Sequence, residues 1–276
     1  MKKFSIAITA LATVFTLTIG SCSKDDNNNG GTETDGAVEM STQKAISDAL
    51  YDDVSMEVLQ ANTQEGLNGP ETVQQTCATI SITPQDPGVW PKTVTIDYGT
   101  TGCVGLNGFT RKGKLIYTIS QRLLNTGAVL EVSFDNYSVN GYKLEGQYRI
   151  TNNGSANGLN ITSVLTNGKV TNPNGVWYTK TTNTTWVQSA GQGTLNILDD
   201  EYNVTGTGTF TNMDGDVLTA ASKTNLLHKV GCSNTVSGLL DFTFNRIPGV
   251  LDFGSGTCDK NAMITVAGKD YAITLP

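Results

Sequence analysis

Histidine, basic residues and catalytic signatures are scarce in this sequence. It contains one histidine, His228, and neither a Gly-x-Ser-x-Gly nor a His-Glu-x-x-His pattern. A Ser-His-Asp or Cys-His mechanism would depend on His228 alone, so we expect this residue to be structural or at the surface. Lys and Arg number 18 against 25 Asp and Glu, and no basic patch stands out. This charge balance argues against nucleic acid as a partner.

Long apolar segments are also missing, apart from residues 4–19, and that stretch is short and diluted by serine and threonine. This stretch is too short and too polar for a good membrane span. Together with Lys2 and Lys3 before it, it predicts an export signal over residues 1–21. The signal ends in Ile19-Gly20-Ser21-Cys22, which resembles a bacterial lipobox. That resemblance implies a diacylglycerol on the Cys22 thiol and a further acyl chain, such as palmitate, on its amine. An ordinary secretory signal with an incidental cysteine is the alternative.

Apolar residues are almost absent from residues 22–37, which are rich in Asp, Asn, Gly and Thr. Such a segment has little to bury, so we predict a disordered tether. Its Lys24-Asp25-Asp26 resembles the surface-export signal of Bacteroidota lipoproteins. The resemblance implies an outer-membrane protein anchored at the cell surface through its lipid, with the periplasmic face as the alternative.

One stretch of the chain is present twice, at residues 77–114 and 232–269. Seven positions keep a constant offset of 155 without a gap. In each copy they are Cys, Asp, an aromatic residue, Gly, Cys, Gly and Lys. In the first copy these positions are Cys77, Asp97, Tyr98, Gly99, Cys103, Gly113 and Lys114. In the second copy they are Cys232, Asp252, Phe253, Gly254, Cys258, Gly268 and Lys269. The two copies bracket the central part of the chain.

Four cysteines remain once Cys22 is set aside, and an even number in an exported chain favours disulfides. Three pairings are compatible with the repeat. We expect Cys77–Cys103 and Cys232–Cys258, because each copy then closes its own loop of about 27 residues. A four-thiolate zinc site is the alternative, but it needs closely spaced cysteine pairs. We expect no cofactor.

The remaining sequence predicts a mainly β protein with one N-terminal amphipathic helix. Apolar residues recur at helical spacing over residues 41–61, where Asp48, Asp52, Asp53 and Glu57 form a polar face that should point away from the core. From about residue 76 the period changes to two, and Asn-Gly or Asp-Gly pairs separate the segments. We therefore expect an antiparallel meander that forms a strongly curved sheet or a sandwich, in a single domain spanning residues 38–276.

Several short motifs are compatible with a role in binding or catalysis and also with a purely structural role. Asp97 and Asp252 are weak metal candidates, but the repeat favours a turn in which the carboxylate accepts from backbone amides. Residues 214–216, Asp-Gly-Asp, could begin a calcium loop, but a hairpin turn is the better interpretation. Residues 111–114, Arg-Lys-Gly-Lys, are interpreted as a solvated strand end. Trp90, Trp177 and Trp186 could form a sugar platform, but we expect at least two in the core.

The closing segment, from Cys232 through Asp252-Phe253-Gly254 to Cys258, resembles a family of β-rich Bacteroidota cell-envelope lipoproteins, and residues 97–114 are similar to that family's first copy. The resemblance implies the fold and the compartment, but no activity and no functional residues. We expect a non-catalytic binding or structural module with a glycan, lipid or protein ligand. A glycan hydrolase with two carboxylates, and a lipid carrier with a deep apolar cavity, are the alternatives.

Overall fold

A computed structural model describes residues 29–64, 77–105, 107–154, 158–194 and 197–276. In the helix that begins this range, side chains are described for residues 33–62. The expected signal and Cys22 lie outside these residues. The described chain contains a helix, α1 (Asn29–Gln64), a short 3-10 helix (Ile197–Asp199) and fifteen strands. The strands are β1 (Thr79–Thr83), β2 (Lys92–Asp97), β3 (Cys103–Val104), β4 (Thr110–Ile119), β5 (Val129–Val139), β6 (Tyr142–Asn152), β7 (Asn160–Thr171), β8 (Trp177–Ala190), β9 (Glu201–Thr211), β10 (Val217–Ser222), β11 (Leu226–Lys229), β12 (Ser237–Phe244), β13 (Ile247–Ser255), β14 (Asn261–Val266) and β15 (Lys269–Thr274).

All fifteen strands belong to one antiparallel sheet, which confirms the predicted fold class. The order follows the chain from β1 to β15, except that β3 pairs with β4, and β11 lies between β9 and β12 beside β10. Tight turns connect neighbours, as at Asn140-Gly141, where both residues have the positive φ that such turns need. The sequence predicts that Asn-Gly pairs separate the strands, and this was wrong for Asn167-Gly168, because these two residues form a bulge inside β7.

The helix α1 lies on the concave face of the sheet and crosses the strands. Its contacts move steadily from the C-terminal part of the sheet to the N-terminal part. In helix order they are Gly36 with the Phe244 ring on β12, Asp48 with Lys180 on β8, Tyr51 with the Glu145 carbonyl on β6, Asp53 with Arg111 on β4, and Glu57 with Tyr98 next to β2. The sheet therefore curves around a helix that fills its interior.

Two features of the helix differ from the sequence expectation. It begins at Asn29, so residues 29–37, assigned to the tether, form its first turns; Ala37 and Met40 are buried against the β8–β15 half of the sheet. The acidic face expected to point away from the core is also turned inward, with Asp53 and Glu57 buried. The local sequence pattern could not predict either feature, because both are stabilised by contacts with strands that are distant in the sequence.

The sequence repeat corresponds to a repeated corner. Asp97 accepts a hydrogen bond from the Gly99 amide at 2.9 Å, and Asp252 accepts one from the Gly254 amide at 2.8 Å. Both glycines have positive φ, and the aromatic residue between is buried in each copy. The predicted turn role of the two aspartates is confirmed.

Both expected disulfides are present. Cys77–Cys103 and Cys232–Cys258 each have a Cα–Cα distance of 5.5 Å. Further along, the copies diverge. Lys114 pairs with Asp97 across two strands, whereas Lys269 follows a hairpin turn and pairs with Val266. An uninterrupted sequence register therefore does not give an identical fold in the two copies.

Candidate binding trough and buried charge clusters

A shallow trough of about 580 Å³ lies on the outer face of the sheet. It crosses β7, β8, β9, β10 and β12, and it uses about three residues of each strand. On β8, Lys180 points inward to Asp48 of α1, so its neighbour Thr181 points outward into the trough. The trough is therefore separated from the helix by the thickness of one sheet.

Threonine is the commonest residue in the trough, although apolar atoms form most of its surface, and the strand register determines how the threonines are arranged. Four threonines occupy directly paired positions on four adjacent strands, and we call this row the threonine ladder; its members are Thr181 on β8, Thr209 on β9, Thr219 on β10 and Thr243 on β12. A second row beside it contains Asn183, Thr207, Ala221 and Asp241. The sequence shows alternate threonines in β8 and β9, but only the register brings them into one row.

Two glycines on the inward side of β9 keep the sheet thin beneath the trough. A Cβ at Gly206 would lie 2.3 Å from the Asn183 carbonyl oxygen, and one at Gly208 would lie 3.0 Å from the Thr181 carbonyl oxygen. A side chain at Gly206 would collide with the backbone of β8, and one at Gly208 would be tightly packed against it, so β8 and β9 approach closely here.

The trough carries little charge. Asp241 is the one acid among the described residues that line it, and it forms an exposed ion pair with Lys223 at 3.0 Å. Hydrolysis of a glycosidic bond by the usual route needs two carboxyl groups about 5–10 Å apart. The trough therefore offers hydrogen-bonding groups for a ligand rather than an acid–base pair.

A small cavity of about 50 Å³ lies on the inner side of the same strands, against the helix. Asp48 lines it and is paired with Lys44 and Lys180. Burial alone would raise the pKa of Asp48, but these two cations hold it below the usual value. Burial and the neighbouring Asp48 raise the pKa of Asp52 to about 7. Carboxylates with separated pKa values are typical of acid–base catalysis, but this cavity has room for a few waters only.

A second cluster on the helix is closed to solvent. The Arg111 guanidinium is 1% exposed, donates from Nε to Asp53 at 2.9 Å, and lies 3.0 Å from Glu57. Tyr98 donates to Glu57 at 2.7 Å. The prediction of a solvated basic strand end was wrong for Arg111, because it is buried against its carboxylate partners on the helix, although Lys112 beside it is exposed.

His228 is buried on β11, with its ring 5.2 Å from that of Trp186. Neither ring nitrogen has a hydrogen-bond partner among the described residues, and burial lowers the pKa of His228 to about 4. A neutral histidine packed in this way fits the structural role expected for it.

Replacing His228 with phenylalanine should reduce the acid sensitivity of the fold. Between pH 6.5 and about 4 the unfolded chain binds a proton that the folded chain excludes, so wild-type stability falls as the pH falls. At pH 5 this loss is about 2 kcal/mol, and the variant should lack it. Urea unfolding of both proteins at pH 7 and pH 5 measures the difference. Equal losses in the two proteins would contradict the assignment.

The three tryptophans do not form a sugar platform at the trough. Trp186 is fully buried, and Trp90 and Trp177 are half-buried, with Lys92 and Lys169 over their rings at 5.3 Å and 4.8 Å. None of the three lines the trough.

Metal binding finds no support in the described parts of the chain. No group of three or more His, Cys, Asp or Glu side chains there could hold an ion. Residues 214–216 lie in the turn between β9 and β10, where the Asp214 and Asp216 amides donate to Asn212.

No family model matches the chain, and no curated protein or solved structure shows significant similarity to it. Within the described residues, α1 is not apolar enough at any point along its length to cross a bilayer.

Proposed function

We propose that this chain is a lipid-anchored module of the bacterial cell surface that binds a neutral, hydroxyl-rich glycan in the outer trough and does not cleave it. The observation that carries this proposal is the trough itself, about 580 Å³ of open space in which seven threonines and one asparagine are interspersed with apolar residues.

The lining suits a sugar chain better than the other ligands considered. A threonine hydroxyl both donates and accepts hydrogen bonds, as the hydroxyls of a sugar do. A phosphate-bearing ligand would meet Asp241 and a chain of net charge −7 without a basic patch. A lipid needs an apolar cavity, whereas the concave side of the sheet is filled by α1, and the remaining cavity is about 50 Å³.

The hydrolase alternative lacks a place for its substrate. Asp48 and Asp52 have the separated pKa values of an acid–base pair, but they line the small inner cavity and face away from the trough. A sugar ring does not fit in that cavity. A binding module is therefore the function that the geometry supports best.

The anchor supports the same proposal. If Cys22 carries the lipid, residues 23–28 separate it from α1, and an extended chain of that length reaches on the order of 25 Å. The body of the protein would then stay close to the outer membrane, among surface polysaccharides.

Substitution of Thr207, at the centre of the trough, with lysine should abolish glycan binding or weaken it at least tenfold. The long charged side chain would occupy the trough and remove a hydroxyl. Binding of the detergent-solubilised full chain is measured by electrophoresis in gels that contain a soluble β-glucan, α-glucan, xylan or mannan. A polysaccharide that retards the wild type should not retard the variant.

Thr118→Lys is the matched control, because Thr118 is an exposed threonine near the end of β4, outside the trough. This variant should bind as the wild type does. Failure of the wild type to bind any of the neutral polysaccharides would overturn the proposal, and so would equal losses in the two variants.

A further inference from the structure

The dimensions of the trough indicate how a polymer would lie in it. The lining uses residues 164–166, 181–183, 207–209, 219–221 and 241–243, three from each of five strands. Neighbouring strands are about 4.8 Å apart and residues rise about 3.4 Å along a strand. The trough is therefore about 19 Å long across the strands and about 7 Å wide along them.

The threonine ladder runs in the long direction. Thr181, Thr209, Thr219 and Thr243 are in direct register, so equivalent hydroxyls recur once per strand. The rings of an extended polysaccharide follow one another at nearly the interval that separates two strands. A chain lying along one strand would instead leave the trough after two outward side chains.

The ladder has an end on each side. Beyond Thr243 the paired residue on β13 is Pro248, which has no amide hydrogen and no polar side chain. On the other side, Thr181 faces the bulge of β7 between Leu165 and Gly168, where the direct register is lost, and the neighbouring Thr166 donates a hydrogen bond to the Gln147 side chain. The row of paired hydroxyls therefore ends at Pro248 on one side and loses its direct register at the β7 bulge on the other.

We infer that the ligand is a linear, neutral polysaccharide that lies across the strands, with one sugar ring over each strand and a binding site of about four to five rings. This inference rests on the proposed function and adds the direction and the length of the bound segment. Each ring contacts one threonine of the ladder, and its neighbour contacts the next.

The test measures affinity against chain length. Oligosaccharides of two to six rings, from a polysaccharide that retards the wild type, are titrated into the detergent-solubilised full chain by calorimetry. The association constant should rise with each ring up to four or five and then level off. Affinity that is already constant from two rings onward would overturn the inference while leaving the proposed function standing.

Two variants test the direction. Thr219→Val removes one hydroxyl of the ladder with little change in volume and should weaken binding of the five-ring ligand about fivefold. Thr179→Val removes an exposed hydroxyl from β8 next to the trough, two residues from Thr181, and should leave binding unchanged. A larger effect at Thr179 than at Thr219 would show a ligand running along the strand. If no neutral polysaccharide binds the wild type, the proposed function fails and this inference with it.

Discussion

Replacing Arg111 with methionine is expected to lower the free energy of unfolding by about 3–5 kcal/mol, the largest single effect that we predict. Arg111 holds two carboxylates of α1, those of Asp53 and Glu57, in a place that solvent does not reach. Methionine keeps most of the volume but leaves both negative charges buried without their cation. Urea unfolding, followed by tryptophan fluorescence, measures the loss.

Two controls separate the buried charges from a general effect of substitution. Lys112→Met changes the exposed neighbour of Arg111 and should alter stability by less than about 0.5 kcal/mol. The triple variant Arg111→Met, Asp53→Leu, Glu57→Met removes the whole cluster and should recover most of the lost stability, since an apolar replacement leaves no charge unpaired. If Arg111→Met alone costs less than about 1 kcal/mol, the cluster does not hold the helix.

The charge clusters also explain why the proposed binding face is the outer one. Asp48, Asp53 and Glu57 connect α1 to β8, β4 and the end of β2 through Lys180, Arg111 and Tyr98. A helix fixed at three points across the sheet cannot leave the concave side without exposing or breaking buried ion pairs. Among the described residues, the interior therefore has room for a few waters only, and the open trough lies on the other face.

The sequence predicted the fold class because strand alternation and turn chemistry are local. The period of two and the Asn-Gly pairs depend on neighbours in the chain, and so does the Asp97 turn. The cysteine pairing was predicted for a similar reason, since each bridge closes a short loop within its own copy. These are the features for which sequence distance and spatial distance agree.

The position of the helix and the trough could not be predicted in the same way. Asp53 and Arg111 are 58 residues apart, and Asp48 and Lys180 are 132 apart. A helical pattern with acidic residues on one face looks the same whether that face meets water or buried cations. The threonine ladder likewise depends on the pairing register of β8, β9, β10 and β12, which a single strand sequence does not contain.

Removal of the second disulfide should have the next largest effect on stability. The double substitution Cys232→Ala, Cys258→Ala removes a bridge between residues that are 26 positions apart in the sequence. The chain-entropy model predicts that the free energy of unfolding falls by about 3.5 kcal/mol. The bridge connects the segment between β11 and β12 to the segment between β13 and β14, so all four strands are constrained by it. Urea unfolding without reductant measures the loss.

The first disulfide supplies the matched comparison, because Cys77–Cys103 has the same separation of 26 residues. The chain-entropy model predicts the same loss of stability for the double substitution Cys77→Ala, Cys103→Ala if the sheet unfolds as one unit. However, Cys77 precedes β1, an edge strand that pairs with β2 alone among the described strands. If β1 can detach separately from the rest, the first pair of substitutions will cost less than the second, and amide exchange will show the loss confined to β1 and β2. Losses below about 1 kcal/mol for both variants would contradict the view that the two bridges stabilise the sheet.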